Sequence, residues 1–326
     1  MNPALTIIVP VYNTARFLKP CLESLLGEDP QQSEILLVDD GSTDESPAML
    51  DAFCRDHPGF RAIHQHNQGL SGARNSALDQ ARGQYVAFCD SDDFVQPGYY
   101  TRMRLLAENL DADVIIGNAT YHFEGRQADH PLYRQPLPQG VLSGRDWMKS
   151  RLQQRSMLHM VCMQIYRRSL IERLGLRFIL GIGHEDVVWT TRFLLAAERI
   201  GFTDEPGYYY RQWKRDLHRS DAHYYQSFKS YSINTRELSR LVEEVDDPQL
   251  GHLLRWYLVD DGLAMFHKIE RMSSEAFRRR CRDDLRQQGI YPLLWRNAVT
   301  FSQKRRITKN FLKNLLSDTF ATGTKP

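Results

Sequence analysis

The sequence predicts an α/β fold, a mostly parallel sheet flanked by helices, followed by a helical C-terminal extension. Three observations carry this. Short apolar runs alternate with helix-period segments from Leu5 to Gly117, polar turns follow those runs, and beyond Tyr224 the pattern is almost wholly helical.

Leu5 to Val11 is a β-rich run, and Phe17, Leu18, Cys21, Leu22, Leu25 and Leu26 then repeat at helical spacing. Glu34 to Asp39 is the second strand. Ser46 is read as an N-cap with Pro47 at the first helical position, opening a helix through Met49, Leu50 and Phe53. Phe60 to His64 is strand three, a helix starts near Ser71, and strand four runs from Tyr85 to Cys89. A helix from about Pro97 to Asn109 and a strand at Val114 to Gly117 complete the series. Residues 124–139, polar and proline-rich, read as a loop or a departure from the regular βα pattern. After it come a helix at 145–153, a strand at Met160 to Tyr166, a short helix from Ser169 and a helix from Glu185 to Ala197. The division drawn from this is residues 1–220 as one α/β domain and 221–326 as a helical region.

With 326 residues and a formal net charge of +2, the chain can bury a real core and does not present itself as a nucleic-acid binder. Its five cysteines are scattered and never spaced Cys-x-x-Cys, so a disulfide framework or zinc site is not expected. Buried thiols in a reducing compartment are. No apolar run reaches the ~20 residues that cross a bilayer, and the N-terminus lacks the basic flank and apolar core of a signal peptide. The expected location is cytoplasmic, with any membrane contact peripheral.

Ligands of parallel sheets bind beyond the carboxyl ends of the strands. Pro10 to Asn13, Asp39 to Asp44 and Asp90 to Asp93 all fall at such ends. The last sets three acids together. Two carboxylates ~4 Å apart repel by about 1 kcal/mol in water and about 4 kcal/mol at an effective dielectric of ~20, so a cation is expected there. Asp-x-Asp on a tight turn gives Mn²⁺ or Mg²⁺ oxygen ligands and leaves other positions for phosphates and water; an acidic loop is the plain alternative. Asp40 can accept from a base imide or a ribose hydroxyl, while Asp44 is read as a helix cap. Arg74, just inside a helix after two glycines, can fork onto a phosphate or a base carbonyl, and Asn67 can read a base edge; a capped surface loop is equally compatible. Asp186, opening a helix after Gly181-Ile-Gly183, can serve as a general base or merely face the helix dipole. His218 is a candidate metal ligand, or, with Arg215, Arg219 and Ser220, part of a lid over phosphates.

In order, Thr6-Ile-Ile-Val-Pro-Val-Tyr-Asn13, Leu37-Val-Asp-Asp-Gly-Ser-Thr-Asp44, Asn67 to Asn75, Asp90 to Asp93 and Glu185-Asp186 together resemble the family 2 glycosyltransferases. The resemblance spans about Thr6 to Ser220. It implies the GT-A fold, a Rossmann-like mostly parallel sheet. It also implies a metal-dependent, inverting transfer of a hexose from a UDP-sugar. Pro10, Tyr12, Asp40, Asn67 and Arg74 would surround the nucleotide, Asp90 and Asp92 would hold ribose and the metal-diphosphate, and Asp186 would be the base. Gly140 to Trp147, Tyr166 to Ser169 and His184 to Thr191 are similar to enzymes that decorate the lipopolysaccharide core. That points to glucose, galactose or glucuronate as the sugar and to a glycan or lipid-linked glycan acceptor. Capsule or exopolysaccharide synthesis is the neighbouring alternative, and an inactive sugar-nucleotide-binding protein the non-enzyme one. Cys162-Met-Gln departs from the Trp-x-Lys frequent among relatives and bears on the acceptor side.

Outside the resemblance, Arg296, Lys304, Arg305, Arg306, Lys309 and Lys313 accompany Ile307, Phe311, Leu312, Leu315 and Leu316 at helical spacing. Such a helix either lies on an anionic membrane, at the cytoplasmic face of the inner membrane, or packs on its own domain with a solvated basic face.

Overall fold

The computed structural model describes residues 3–124, 130–212 and 219–321, apart from the side chains of 317–321. The chain forms two compact units. One takes residues up to Trp147, 158–181 and the stretch from Trp189 through the strand ending at Gln212; the other takes 148–157, 182–188 and the C-terminal helices.

The first unit opens with β1 (Leu5–Val11), α1 (Ala15–Leu25), β2 (Ser33–Asp39), α2 (Ser46–Asp56), β3 (Phe60–His64), α3 (Gly69–Leu78) and β4 (Tyr85–Phe88). Every residue of β1 is buried, as a strand covered on both faces requires. Next come β5 (Phe94–Val95), α4 (Tyr99–Leu110), β6 (Val114–Ile116), β7 (Ala119–Phe123), β8 (His130–Pro131) and α5 (Gly144–Gln153). The series closes with β9 (Gln164–Arg167), α6 (Arg168–Arg173), α7 (Asp186–Ala196), β10 (Ile200–Phe202) and β11 (Tyr208–Gln212), α5 from Met148 onward and α7 up to Val188 belonging to the second unit.

The main sheet runs β10-β6-β9-β4-β1-β2-β3. β1 pairs in parallel with both β2 and β4. The chain therefore steps outward through β2 and β3, then returns to the other side of β1, and this reversal creates a crevice at the carboxyl ends of β1 and β4. An aromatic cluster seals the sheet beneath: Trp189 stacks on Phe178 with centroids 5.0 Å apart and meets Phe88 edge-on at 5.8 Å.

Several expectations change. The run Met160 to Tyr166 is a 3-10 turn over Val161–Met163 followed by β9, which pairs antiparallel with both β4 and β6. Residues 124–139 carry β8, part of a second sheet ordered β5-β11-β7-β8. Two-residue strands such as β5 and β8 leave no periodicity to read. Ser46 is the first helical residue of α2, not its cap; Glu45 holds the cap position, and the Ser46 amide donates to Asp44 Oδ1 at 2.9 Å. Asp44 Oδ2 also accepts from Ala15 N, at the start of α1. Cys21, Cys89, Cys162 and Cys281 are buried thiols and Cys54 is partly buried.

The second unit contains α8 (Asp221–Glu243), α9 (Pro248–Gly262), α10 (Ala264–Arg271), α11 (Glu275–Gln287), α12 (Ile290–Asn297) and α13 (Phe301–Ala321). Side chains cap the first two: Ser220 Oγ accepts from His223 N, and Asp247 accepts from Gln249 N and Leu250 N ahead of Pro248. Leu250, Leu258, Met265, Leu285, Ile290 and Leu294 form its fully buried interior.

Candidate active site

Beyond the carboxyl ends of β1, β2 and β4 lies a cleft of about 370 Å³. Pro10 and Tyr12 enter it from β1, Asp40 from β2, Asn67 from the approach to α3, and Asp90 and Asp92 from β4. Tyr12 stands half exposed at its lip. Tyr210 and Arg211 of β11 close another side.

The β2 exit is a tied loop. Gly41 has φ +73°, and a Cβ there would sit 2.9 Å from Asn67 N, so the position demands glycine for both conformation and space. Asp40 is buried and accepts from Gln65 Nε2 at 2.7 Å, Gln68 N at 2.9 Å and Gly69 N at 2.8 Å. A carboxylate has about four acceptor sites, so most of the capacity of Asp40 holds the start of α3. Asn13, at φ +53°, accepts from Thr43 N at 2.8 Å and joins the β1 and β2 loops. Beside them His64 bridges Asp39 and Asp51 at 2.9 and 3.1 Å. Its imidazole pKa is raised, first by the hydrogen bond to Asp39 and then by that to Asp51.

The three acids of the β4 exit separate into three environments. Asp90 Oδ1 accepts from Arg74 Nη2 at 2.8 Å, and the Arg74 guanidinium lies 5.3 Å from the Phe178 ring centre and 5.8 Å from that of Phe88. Arg74 is thus a buried cation behind the cleft wall. Asp93 is buried, receiving the Tyr208 hydroxyl at 2.5 Å and Arg211 N at 2.8 Å. Burial, then the charges of Asp90 and Asp92, push its carboxyl well above the usual range. Tyr208 also accepts from Asp90 N at 3.2 Å. Asp92 lines the cleft, its carbonyl accepting from Arg211 Nε at 2.8 Å.

Arg211 is a junction beside the cleft. Its guanidinium lies over Phe17 and Phe94 at 5.3 and 5.1 Å and pairs with Glu124 at 2.9 Å. The register that places it there, Arg211 opposite His122, belongs to the parallel pairing of β11 with β7.

Asp186 belongs to the helical unit, at the first residue of α7. The preceding turn is anchored on α8, with Gly183 N donating to Ser230 Oγ at 2.9 Å and Asn234 Nδ2 to the His184 carbonyl at 2.9 Å. His184 has φ +56°, and burial lowers its pKa. His218 and Arg215 lie outside the described residues. Ser220 caps α8.

Among the described residues no group of three or more His, Cys, Asp or Glu side chains is arranged to hold an ion. A divalent ion bound mainly by phosphate and water oxygens needs only one or two carboxylates, and Asp90 and Asp92 in the cleft wall meet that requirement.

Comparison with known proteins shows the family by a family model and a curated relative, and the fold by solved structures. Residues 6–175 match the family model described as glycosyl transferase family 2. The glycosyltransferase YibD of Escherichia coli K12 is 30% identical over 303 residues, covering 90% of this chain and 87% of that protein. Among solved structures, Staphylococcus aureus TarS 1–349 in complex with UDP-GlcNAc superposes with a TM-score of 0.69 at 19% identity, over 98% of this chain and 93% of that one. The mannosyltransferase PcManGT of Pyrobaculum calidifontis, in complex with GDP-Man and Mn²⁺, does so with a TM-score of 0.52 at 18% identity, over 97% and 88%. The α/β sheet with its strand-end cleft has GT-A neighbours, and the chain belongs to glycosyl transferase family 2 and is a glycosyltransferase.

Proposed function

We propose that this enzyme transfers a hexose from a UDP-sugar to a hydroxyl of a cell-surface glycan, foremost the lipopolysaccharide core, with inversion. The observation that carries the reading is the grouping in one cleft of Tyr12, Asp40 and Asn67 with Asp90 and Asp92. The first three suit a planar base and ribose; the acids suit a metal-bound diphosphate. TarS, seen with UDP-GlcNAc, supports the donor class, and PcManGT, seen with Mn²⁺, the cation. In this reading Asp92 would hold Mn²⁺ or Mg²⁺ and Asp90 the ribose side, with Arg74 fixing Asp90 from behind.

Inversion requires one in-line displacement. The acceptor oxygen forms its bond to the anomeric carbon as the bond from that carbon to the diphosphate oxygen breaks, and Asp186 takes the acceptor proton. A base so placed supplies ~10² to 10⁴-fold. The bound cation supplies charge neutralisation for the departing diphosphate.

The C-terminal helix supports a peripheral place at an anionic membrane. Ile307 and Gln303 of α13 are buried, whereas Phe301, Phe311, Leu312, Leu315 and Leu316 are 82%, 43%, 49%, 46% and 55% exposed, among exposed Arg305 and Lys309. An outward face of that composition suits lipid with negative headgroups, and so a lipid-linked acceptor on the cytoplasmic side. No helix among the described residues is long and apolar enough to cross a membrane.

Turnover of a UDP-sugar panel with Mn²⁺ tests the reading. Asp186→Asn is expected to keep UDP binding and lose transfer, and Asp92→Asn to lose metal-dependent UDP binding; full turnover in either variant rejects the assignment. Flotation with phosphatidylglycerol vesicles tests the helix, where Leu312→Asp with Leu316→Asp should abolish binding.

A further inference from the structure

A second cleft, of about 350 Å³, lies wholly within the helical unit and shares no lining residue with the strand-end cleft. Leu152 of α5 and Arg155 and Met157 after it form one wall; Trp256, Tyr257, Asp260 and Asp261 of α9 form the other. Its size falls in the ~300–1,000 Å³ range of small-molecule sites.

The walls are built with some strain. Arg155, just past the end of α5, has φ +53°, an uncommon conformation for a non-glycine residue, and its guanidinium lies over the Trp256 ring at 4.5 Å. The Trp256 carbonyl accepts from Gln303 Nε2 at 2.9 Å, and Asp260 pairs with Arg306 at 2.8 Å. Asp261 differs: among the described residues its carboxylate has no hydrogen bond and no ion pair. Burial, then the charge of Asp260, pushes its pKa up to about 6. Tyr257 lies within reach of the charges of both Asp261 and Asp186, which, after burial, raise its hydroxyl pKa.

A half-buried acid left without a donor is costly, and a ligand that supplies donors relieves the cost. The lining selects the ligand. Two adjacent acids oppose an anion, Arg155 opposes a metal cation, and a purely apolar ligand would leave Asp261 unsatisfied. A neutral sugar meets every demand, since its C–H groups suit the apolar lining of Leu152, Met157 and Tyr257 and its hydroxyls can donate to Asp261 and accept from Arg155, which Trp256 seats.

We infer that the cleft lined by Arg155, Trp256, Tyr257 and Asp261 is a subsite for a neutral sugar residue of the acceptor glycan. The inference rests on the transferase reading, whose proposed base, Asp186, lies in the same compact unit.

The test applies the full chain to an array of neutral hexose, heptose and N-acetylhexosamine oligosaccharides, with UDP titration by calorimetry alongside. The wild-type chain is expected to capture at least one glycan. Asp261→Asn, isosteric with the wild type, should weaken capture by about tenfold or more, Trp256→Leu likewise, and UDP affinity should hold. No capture by the wild type, or equal capture by both variants, overturns the subsite. Normal UDP binding in that case leaves the transferase reading standing; absent UDP binding with Asp261-dependent capture removes the donor reading and keeps the subsite.

Discussion

Arg74 and Asp90 form an ion pair of 2.8 Å in which the arginine side chain is 3% exposed and the aspartate 27%. The guanidinium pairs with this carboxylate and faces the rings of Phe178 and Phe88. The pair couples α3 to the β4 exit and orients one of the two acids at the cleft wall.

Breaking such a pair strands a charge. Arg74→Ala should destabilise the protein toward the lower end of the ~3–5 kcal/mol typical of broken buried pairs, because Asp90 keeps some contact with water. Arg74→Lys should recover part of this, retaining charge but not the planar fork. Urea unfolding with UDP titration reads both. Unchanged stability in Arg74→Ala would contradict the role given to the pair.

Gly41→Ala introduces a Cβ at φ +73°, 2.9 Å from Asn67 N. The strain is worth ~1–3 kcal/mol, relieved only by moving the Asn67 loop. Lower thermal stability together with weaker UDP binding is expected; a drop in stability with donor affinity intact would detach Asn67 from the nucleotide.

His64 gives a pH signature. Its folded pKa is raised above the ordinary 6.5 by Asp39 first and Asp51 second, so the folded state holds a proton that the unfolded chain releases earlier. The contribution is full below pH about 6.5 and disappears as pH rises through the folded pKa. Melting of the wild type and of His64→Gln, followed from pH 5 to 9, should differ most at the acid end. NMR titration of His64 should place its midpoint above the usual imidazole value.

Asp261 gives a trend with the same sign from a different cause. Its pKa rises from 3.8 to about 6 because burial disfavours the charge, so the folded state is favoured while the acid is protonated and loses that advantage as pH climbs through about 6. Asp261→Asn should therefore be the more stable protein at pH 7.5, by up to ~2–3 kcal/mol, with the gap closing near pH 4. Thermal melts at the two pH values decide it. A variant less stable than wild type at pH 7.5 would mean that the carboxylate is structurally satisfied.

The strands β1 to β4 and the helices between them were legible because their signals are local. Apolar runs such as Leu5 to Val11 and helical repeats such as Phe17 to Leu25 need only a neighbour's worth of context. The grouping at the strand ends was legible for the same reason: Pro10, Tyr12, Asp40, Asn67, Asp90 and Asp92 line one cleft because parallel strands deliver their carboxyl ends to one edge.

Tertiary structure alone decided how the acids at the β4 exit divide. In sequence Asp90, Asp92 and Asp93 are near-equivalent members of one turn. In the fold Asp90 meets Arg74, Asp93 is withdrawn onto Tyr208, and Asp92 faces the cleft. The partners of Asp93 come from β11, 115 and 118 residues away, through a second sheet whose shortest strands carry two residues. The antiparallel entry of β9 between β4 and β6 is of the same kind. Local sequence sets which conformations are cheap and which side chains stand at a strand end. Which distant groups satisfy a buried charge is set by the packing of the whole chain, where an unpaired carboxylate costs more than any local preference contributes.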